Sequence, residues 1–165
     1  MNIDELCAIT GVPIPAIVAN TYFSSAACEV YSSFIHENFI CCIMASQAVA
    51  EGINKYVLIR NNIKTNIPRP QLFYYMMDYG LVCPDYAMAA TSLYKSHRND
   101  YHHMNSPVGS IDHRLLATDN IRWLATIENA VFGADYAKGG SIVPRNPTYW
   151  DMDGRMIDAY IRLEI

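Results

Sequence analysis

The sequence is short of charge, of long apolar runs and of strand-like alternation, and each shortage excludes something. Charged residues make up 17% of the 165, with a formal net charge of −4. The twelve Lys and Arg are spread along the chain, so the basic stripe of an extended-duplex binder is missing. A nucleic-acid site here must concentrate positive charge locally. The longest apolar run, Phe39 to Ala45, falls far short of the roughly 20 residues a membrane-spanning helix needs, so no membrane partner is expected. The chain opens on no basic segment followed by an apolar stretch and a small-residue cleavage site, and the expected location is the cytoplasm. The five cysteines include the adjacent pair Cys41–Cys42 and form no CxxC. That pattern argues against a disulfide framework or a zinc site and reads as small buried hydrophobes.

What is present is apolar and helical. Apolar residues are 52% of the chain, enough for the core of one domain. Asp4 to Ile9 suits a short helix, interrupted by Gly11, Pro13 and Pro15. Ser24 and Ser25 are N-cap residue types for a helix reaching about Glu37. Asn38 to Asn61 reads as a central helix, apolar on most faces of its first half. "NNIKTNIPRP" is a loop, and a short helix follows from Gln71 with Gly80 as its stop. Pro84 opens a helix expected to run unbroken through "YAMAATSLYKSHRNDYHHM", with Met88, Leu93 and Tyr94 on its buried side. A last helix is expected from a Thr118 or Asp119 cap to Gly133, with Ile121, Leu124, Ile127, Val131 and Phe132 at helical spacing. No segment before residue 140 alternates with period two. The expectation is an all-α bundle of four to five helices over residues 1–137. An irregular C-terminal arm, 138–165, follows. Its end, "AYIRLEI", alternates as a strand does and equally fits a turn of helix.

The chemistry concentrates in "KSHRNDYHHMN", residues 95–105, which hold three of the five histidines. Arg98 and His103 lie five residues apart, about 140° around an ideal helix, whereas His102 stacks nearly on the face of Arg98. One helix does not aim Arg98 and His103 at one atom, but two copies meeting on a twofold axis line a shared cleft with both. A positive helix end also suits the helix dipole, so a solvated terminus explains the same residues without function.

"RNDYHH" fits the R-N-x-x-x-H form of the motif that marks HEPN domains (higher eukaryotes and prokaryotes nucleotide-binding). "AACEVYSSFIHENFICCIMASQAVAEGINKYV" resembles the family's two-helix unit, and "FYYMMDYGLV" resembles the short helix that precedes the motif helix. The likeness covers roughly residues 24–133. It implies an all-α, HEPN-like homodimer whose active members are metal-independent endoribonucleases, often toxins or defence effectors held by an antitoxin or regulatory protein. Carried over, Arg98 and His103 take the catalytic positions and Asn99 the polar position after the arginine. The residue types suit the reaction. Histidine titrates near neutrality and can serve as base or acid, and guanidinium binds a phosphate through two parallel hydrogen bonds. No cofactor or metal is then needed.

Around this pair, Lys95 and His97 are expected to contact substrate, and His102 is a second histidine within reach of Arg98. Asp100 is expected to be exposed rather than to orient a histidine, and Tyr101 to be a core or dimer contact. Glu51 sits in the apolar central helix. It reads as a boundary residue with its charge in solvent, or as a carboxylate paired with an arginine, Arg98 first among them. The histidines lack HxxxH or HExxH spacing, and "YWDMDG" lacks the final glutamate of a calcium loop. Tyr149 and Trp150 are expected to pin the arm onto its own protomer or its mate. The function expected is cleavage of single-stranded or loop RNA to 2′,3′-cyclic phosphate ends. The alternative is a non-enzymatic nucleotide-binding or protein-interaction module of the same fold.

Overall fold

The structure is a computed structural model that describes residues 3–19, 21–64, 66–150, 152–153, 156–157 and 159–162. The chain folds as an all-α bundle with a C-terminal arm. Helices α1 (Ile3–Thr10), α2 (Ser24–Ile35), α3 (Phe39–Arg60), α4 (Arg69–Asp78), α5 (Pro84–Lys95), α6 (Arg98–His103) and α7 (His113–Phe132) follow in order. The centre is α3, which packs on α2 and α7. Its buried residues, from Cys42 and Ile43 through Ile53 to Val57, fall on several faces, as the lack of a polar stripe in its first half implies. On α7 the five residues at helical spacing, Ile121 to Phe132, are all buried.

Several boundaries differ from the sequence expectation, each for a local reason. Neither serine caps α2: Ser24 Oγ donates to the Ala19 carbonyl at 3.0 Å and so ties the preceding loop to the helix. Helix α4 begins at Arg69, two residues early, because Pro70 falls in the first turn, where its missing N–H costs nothing. It does stop at Gly80, whose φ of +67° lets the Leu81 N–H return to the Met76 carbonyl at 2.9 Å. On α5 Met88 is exposed; Tyr86, Ala87, Ala89, Ala90 and Leu93 form the buried side. Helix α7 starts at His113, capped by Asp112, whose carboxylate accepts the Leu115 N–H at 3.0 Å. Cys41 and Cys83 are exposed and Cys42 buried, so the cysteines are not uniformly core residues. Burial pushes the Cys42 thiol up to about 12.

The largest difference breaks the expected long helix at Ser96. Gln47, buried on α3, donates its Nε2 to the Ser96 carbonyl at 2.7 Å. In an unbroken helix that carbonyl would accept the N–H of residue 100. Ser96 Oγ meanwhile donates to the Leu93 carbonyl at 2.6 Å, and His97 turns into the left-handed region at φ +53°. Arg98 therefore begins a new, short helix in a new direction.

The arm returns to the body. Strand β1 (Ile17–Ala19) pairs antiparallel with β6 (Ala159–Ile161), so "AYI" at the start of "AYIRLEI" is extended, while residues 163–165 lie outside the described residues. Strands β2 (Ala134–Tyr136) and β3 (Ile142–Pro144) form a hairpin, and β4 (Met152–Asp153) pairs with β5 (Met156–Ile157). The first two β pieces are three residues long, too short to show alternation. Tyr149 and Trp150 are buried in the chain's own core, near Tyr56 and Phe132. The Tyr56 hydroxyl donates to the Tyr149 carbonyl at 2.9 Å.

Candidate functional site

Glu51 and Arg98 come together from distant parts of the chain. The Nη2 of Arg98 donates to Glu51 Oε2 at 3.0 Å, so of the two readings of Glu51 the structure has the paired carboxylate. Two further cations share it. Arg69 from α4 binds it in bidentate fashion, Nη1 donating to Oε2 at 2.7 Å and Nη2 to Oε1. Lys55, one turn along α3, lies 3.1 Å from Oε1. Burial alone would push the Glu51 carboxyl up; hydrogen bonds from Arg69 and Lys55 outweigh it and hold the group at about 2. Three cations thus surround one carboxylate, leaving local positive charge on a chain whose net charge is negative.

Arg98 spends only Nη2 on Glu51. Among the described residues its Nε and Nη1 have no partner, and the side chain is partly exposed. It lines an open groove of about 740 Å³ with Tyr94, Lys95, His97, Asn99 and Asp100. Four of the expected site residues, Lys95, His97, Arg98 and Asn99, therefore share one depression. Arg98 and Tyr94 also line a second, narrower pocket, with about 50 Å³ of enclosed space and about 470 Å³ when open solvent is counted, set among α3, α4 and α5.

The histidines differ in how they are held. His97 Nδ1 lies 3.1 Å from Asp100 Oδ2, and the other carboxylate oxygen accepts the Asn105 side-chain amide at 3.2 Å. Those bonds from Asn105 and His97 hold the Asp100 carboxyl below its ordinary value. Asp100 is thus half-buried and fixes an imidazole, where the sequence suggested a solvated charge. His102 and His103 are exposed at the far end of α6, hydrogen-bond to nothing among the described residues and line neither depression. Tyr101, just before them, is fully buried, edge-on to the His113 ring at 5.8 Å. It anchors α6 from beneath.

Three residues of this site escaped the sequence reading. The Glu51–Lys55 pair was legible as an i, i+4 contact. Arg69 was hidden in a segment taken for loop, and Gln47 acts through a contact 49 residues away. No three His, Cys, Asp or Glu side chains cluster as a metal site among the described residues. Nor is any helix among them long and apolar enough to cross a membrane. Compared with protein-family models, with curated proteins and with solved structures, the chain matches none.

Proposed function

We propose that the chain is a metal-independent endoribonuclease of HEPN type, acting in the cytoplasm as a homodimer on single-stranded or loop RNA. The observation that carries this reading is Arg98: Glu51 fixes it through one nitrogen, Nε and Nη1 have no partner among the described residues, and the side chain lines an open groove with Lys95 and His97. A guanidinium so held keeps one two-donor edge for a phosphate, the second Nη2 N–H with Nη1 or Nε, at little cost in side-chain entropy. His103 lies five residues on, and the shared cleft of a dimer supplies Arg98 and His103 twice. The RNA 2′-hydroxyl attacks the adjacent phosphorus and gives its proton to one His103. The P–O5′ bond breaks, and the leaving 5′-oxygen takes a proton from an imidazolium. Arg98 stabilises the charge on the pentacoordinate phosphate. Products are a 2′,3′-cyclic phosphate and a 5′-hydroxyl. Asn99 and His102 flank the pair, and an antitoxin or other regulatory protein is the kind of partner that would restrain such an enzyme.

One observation favours a second reading, a nucleotide-binding or protein-interaction module without catalysis. Neither His102 nor His103 has a hydrogen-bonding partner to fix its ring among the described residues, and a catalytic imidazole is ordinarily oriented by one. The two readings separate in a cleavage assay in EDTA. The enzyme gives cyclic phosphate ends, and His103→Ala lowers the rate by about a hundredfold or more, the scale of general acid–base catalysis. RNA bound but left intact by the wild type supports the module.

A further inference from the structure

The second pocket has a floor and walls that the phosphate chemistry does not use. Its walls are Leu58, Leu72, Phe73, Leu93 and Tyr94. The small side chains of Ala50 and Ala90, both buried, leave the space between α3 and α5. Gln47 also lines it, is only 3% exposed, and has a side-chain Oε1 that no donor reaches. The orientation of this amide is fixed by chemistry. Its other end contacts the Ser96 carbonyl, which can only accept, so that end is the NH₂ and the orphan is the acceptor oxygen. A buried acceptor without a donor is costly, and a ligand that brings an N–H removes the cost. Lys55, Arg69 and Arg98 line the pocket as well, together with the Glu51 carboxylate that they share, so this end keeps a net positive balance.

An apolar slot, one deep acceptor and a cationic end match a nucleotide, with the phosphate at that end and the base within. Because Arg98 and Tyr94 line both depressions, a phosphate on Arg98 has this slot beside it. We infer that the pocket is a base-recognition subsite for cytosine, with Gln47 Oε1 accepting from its exocyclic amino group. The inference rests on the RNA reading of the Arg98 groove and adds sequence preference to it. Cytosine and uracil are close in shape and differ where it matters. Cytosine offers an amino group at position 4, and uracil sets a carbonyl oxygen against Gln47 Oε1, acceptor against acceptor. Uracil can donate there only through its imide N–H, which turns the ring in the slot and carries N1, and the sugar phosphate on it, away from the position that cytosine gives them. Sites built around such a hydrogen bond reject the analogue that lacks it.

The test is calorimetric titration of the full chain with CMP, UMP and ribose 5-phosphate. CMP is expected to bind about tenfold or more tightly than either of the others, the scale of one buried acceptor left unpaired. Ala90→Leu, which fills the slot and leaves the cationic end intact, is expected to reduce CMP to the affinity of ribose 5-phosphate. Equal affinities for CMP and UMP in the wild type overturn the inference, whether or not the variant folds. So does a pocket that merely holds solvent, which gives ribose 5-phosphate and CMP the same affinity. The enzyme reading fails separately: a CMP preference in a protein that never cleaves RNA keeps the subsite and removes the catalysis. Cleavage indifferent to base, with CMP bound no better than UMP, does the reverse.

Discussion

Glu128 and Glu51 each hold an arginine, in opposite ways. Glu128 on α7 accepts from Arg162 Nη2 through one oxygen and from the Tyr31 hydroxyl, at 2.7 Å, through the other. Arg162 also donates to the Pro15 carbonyl at 2.6 Å and lies over the Tyr31 ring, 4.6 Å from its centroid. Its backbone N–H extends the β1–β6 pairing by donating to the Ala16 carbonyl. Both ionic side chains are shut off from solvent, at 0% and 1% exposed. Glu51 is oversupplied by contrast: three cations crowd it at an open surface, and Arg98 keeps donors in reserve. The buried pair ties residue 162 back to residues 15–31, and its one spare donor, Arg162 Nε, is sealed from solvent. The open pair is a cation held in place and not neutralised. The same ion-pair chemistry thus serves fold at one end of the molecule and ligand at the other, and surplus charge with access to solvent separates the two.

If that contrast is right, mutations at the two pairs give different readouts. The largest effect on stability is expected from Arg162→Ala. It leaves Glu128 charged and buried, a change that costs about 3–5 kcal/mol, measurable by denaturant unfolding. Activity per folded molecule stays as it was. A loss of less than about 1 kcal/mol there would erase the distinction between the two sites.

A smaller effect is expected from Glu51→Gln, about 1–2 kcal/mol, because Lys55, Arg69 and Arg98 are themselves partly exposed and screened. Its signature is the pH dependence. The Glu51 carboxyl is held at about 2 in the folded chain, down from 4.5. Its contribution is complete above the upper value and is lost as pH falls from there toward about 2. Acid unfolding of the wild type should therefore be steeper than that of Glu51→Gln within this window. Parallel curves would mean that the three cations do not act on Glu51 in solution. The smallest effect is expected from Asp100→Asn, which loosens His97 while leaving Arg98 in place. Cleavage should change within about fivefold, as for an exposed ion pair, with the unfolding temperature unmoved. A hundredfold loss would shift the catalytic role from His103 to His97.

The helices were legible because their apolar spacing is local, as in the run from Ile121 to Phe132 on α7. The break at Ser96 was not, because its cause is Gln47, 49 residues away, competing for one carbonyl. A helix end imposed by tertiary contact leaves no Gly or Pro in the segment it ends. The same limit hid Arg69 and the partner of Arg162: charged residues in loops or at chain ends look solvated until folding brings a carboxylate to them. Arg98 was singled out by its surroundings in the sequence and Glu51 by being a charge in an apolar helix. Their contact was one of the two readings of Glu51, and the folded chain has it at 3.0 Å.

The most direct measurement is the rate of RNA cleavage in EDTA by wild type, Arg98→Ala and Arg98→Lys, with thermal unfolding followed on the same samples. Loss of about a hundredfold or more in Arg98→Ala is expected from removing the group that stabilises the transition-state charge. Arg98→Lys, which keeps the charge and loses the fork, is expected to recover little of it. Both variants should unfold within a few degrees of the wild type. Full activity in Arg98→Ala would contradict the account, since the open ion pair would then be as purely structural as the buried one.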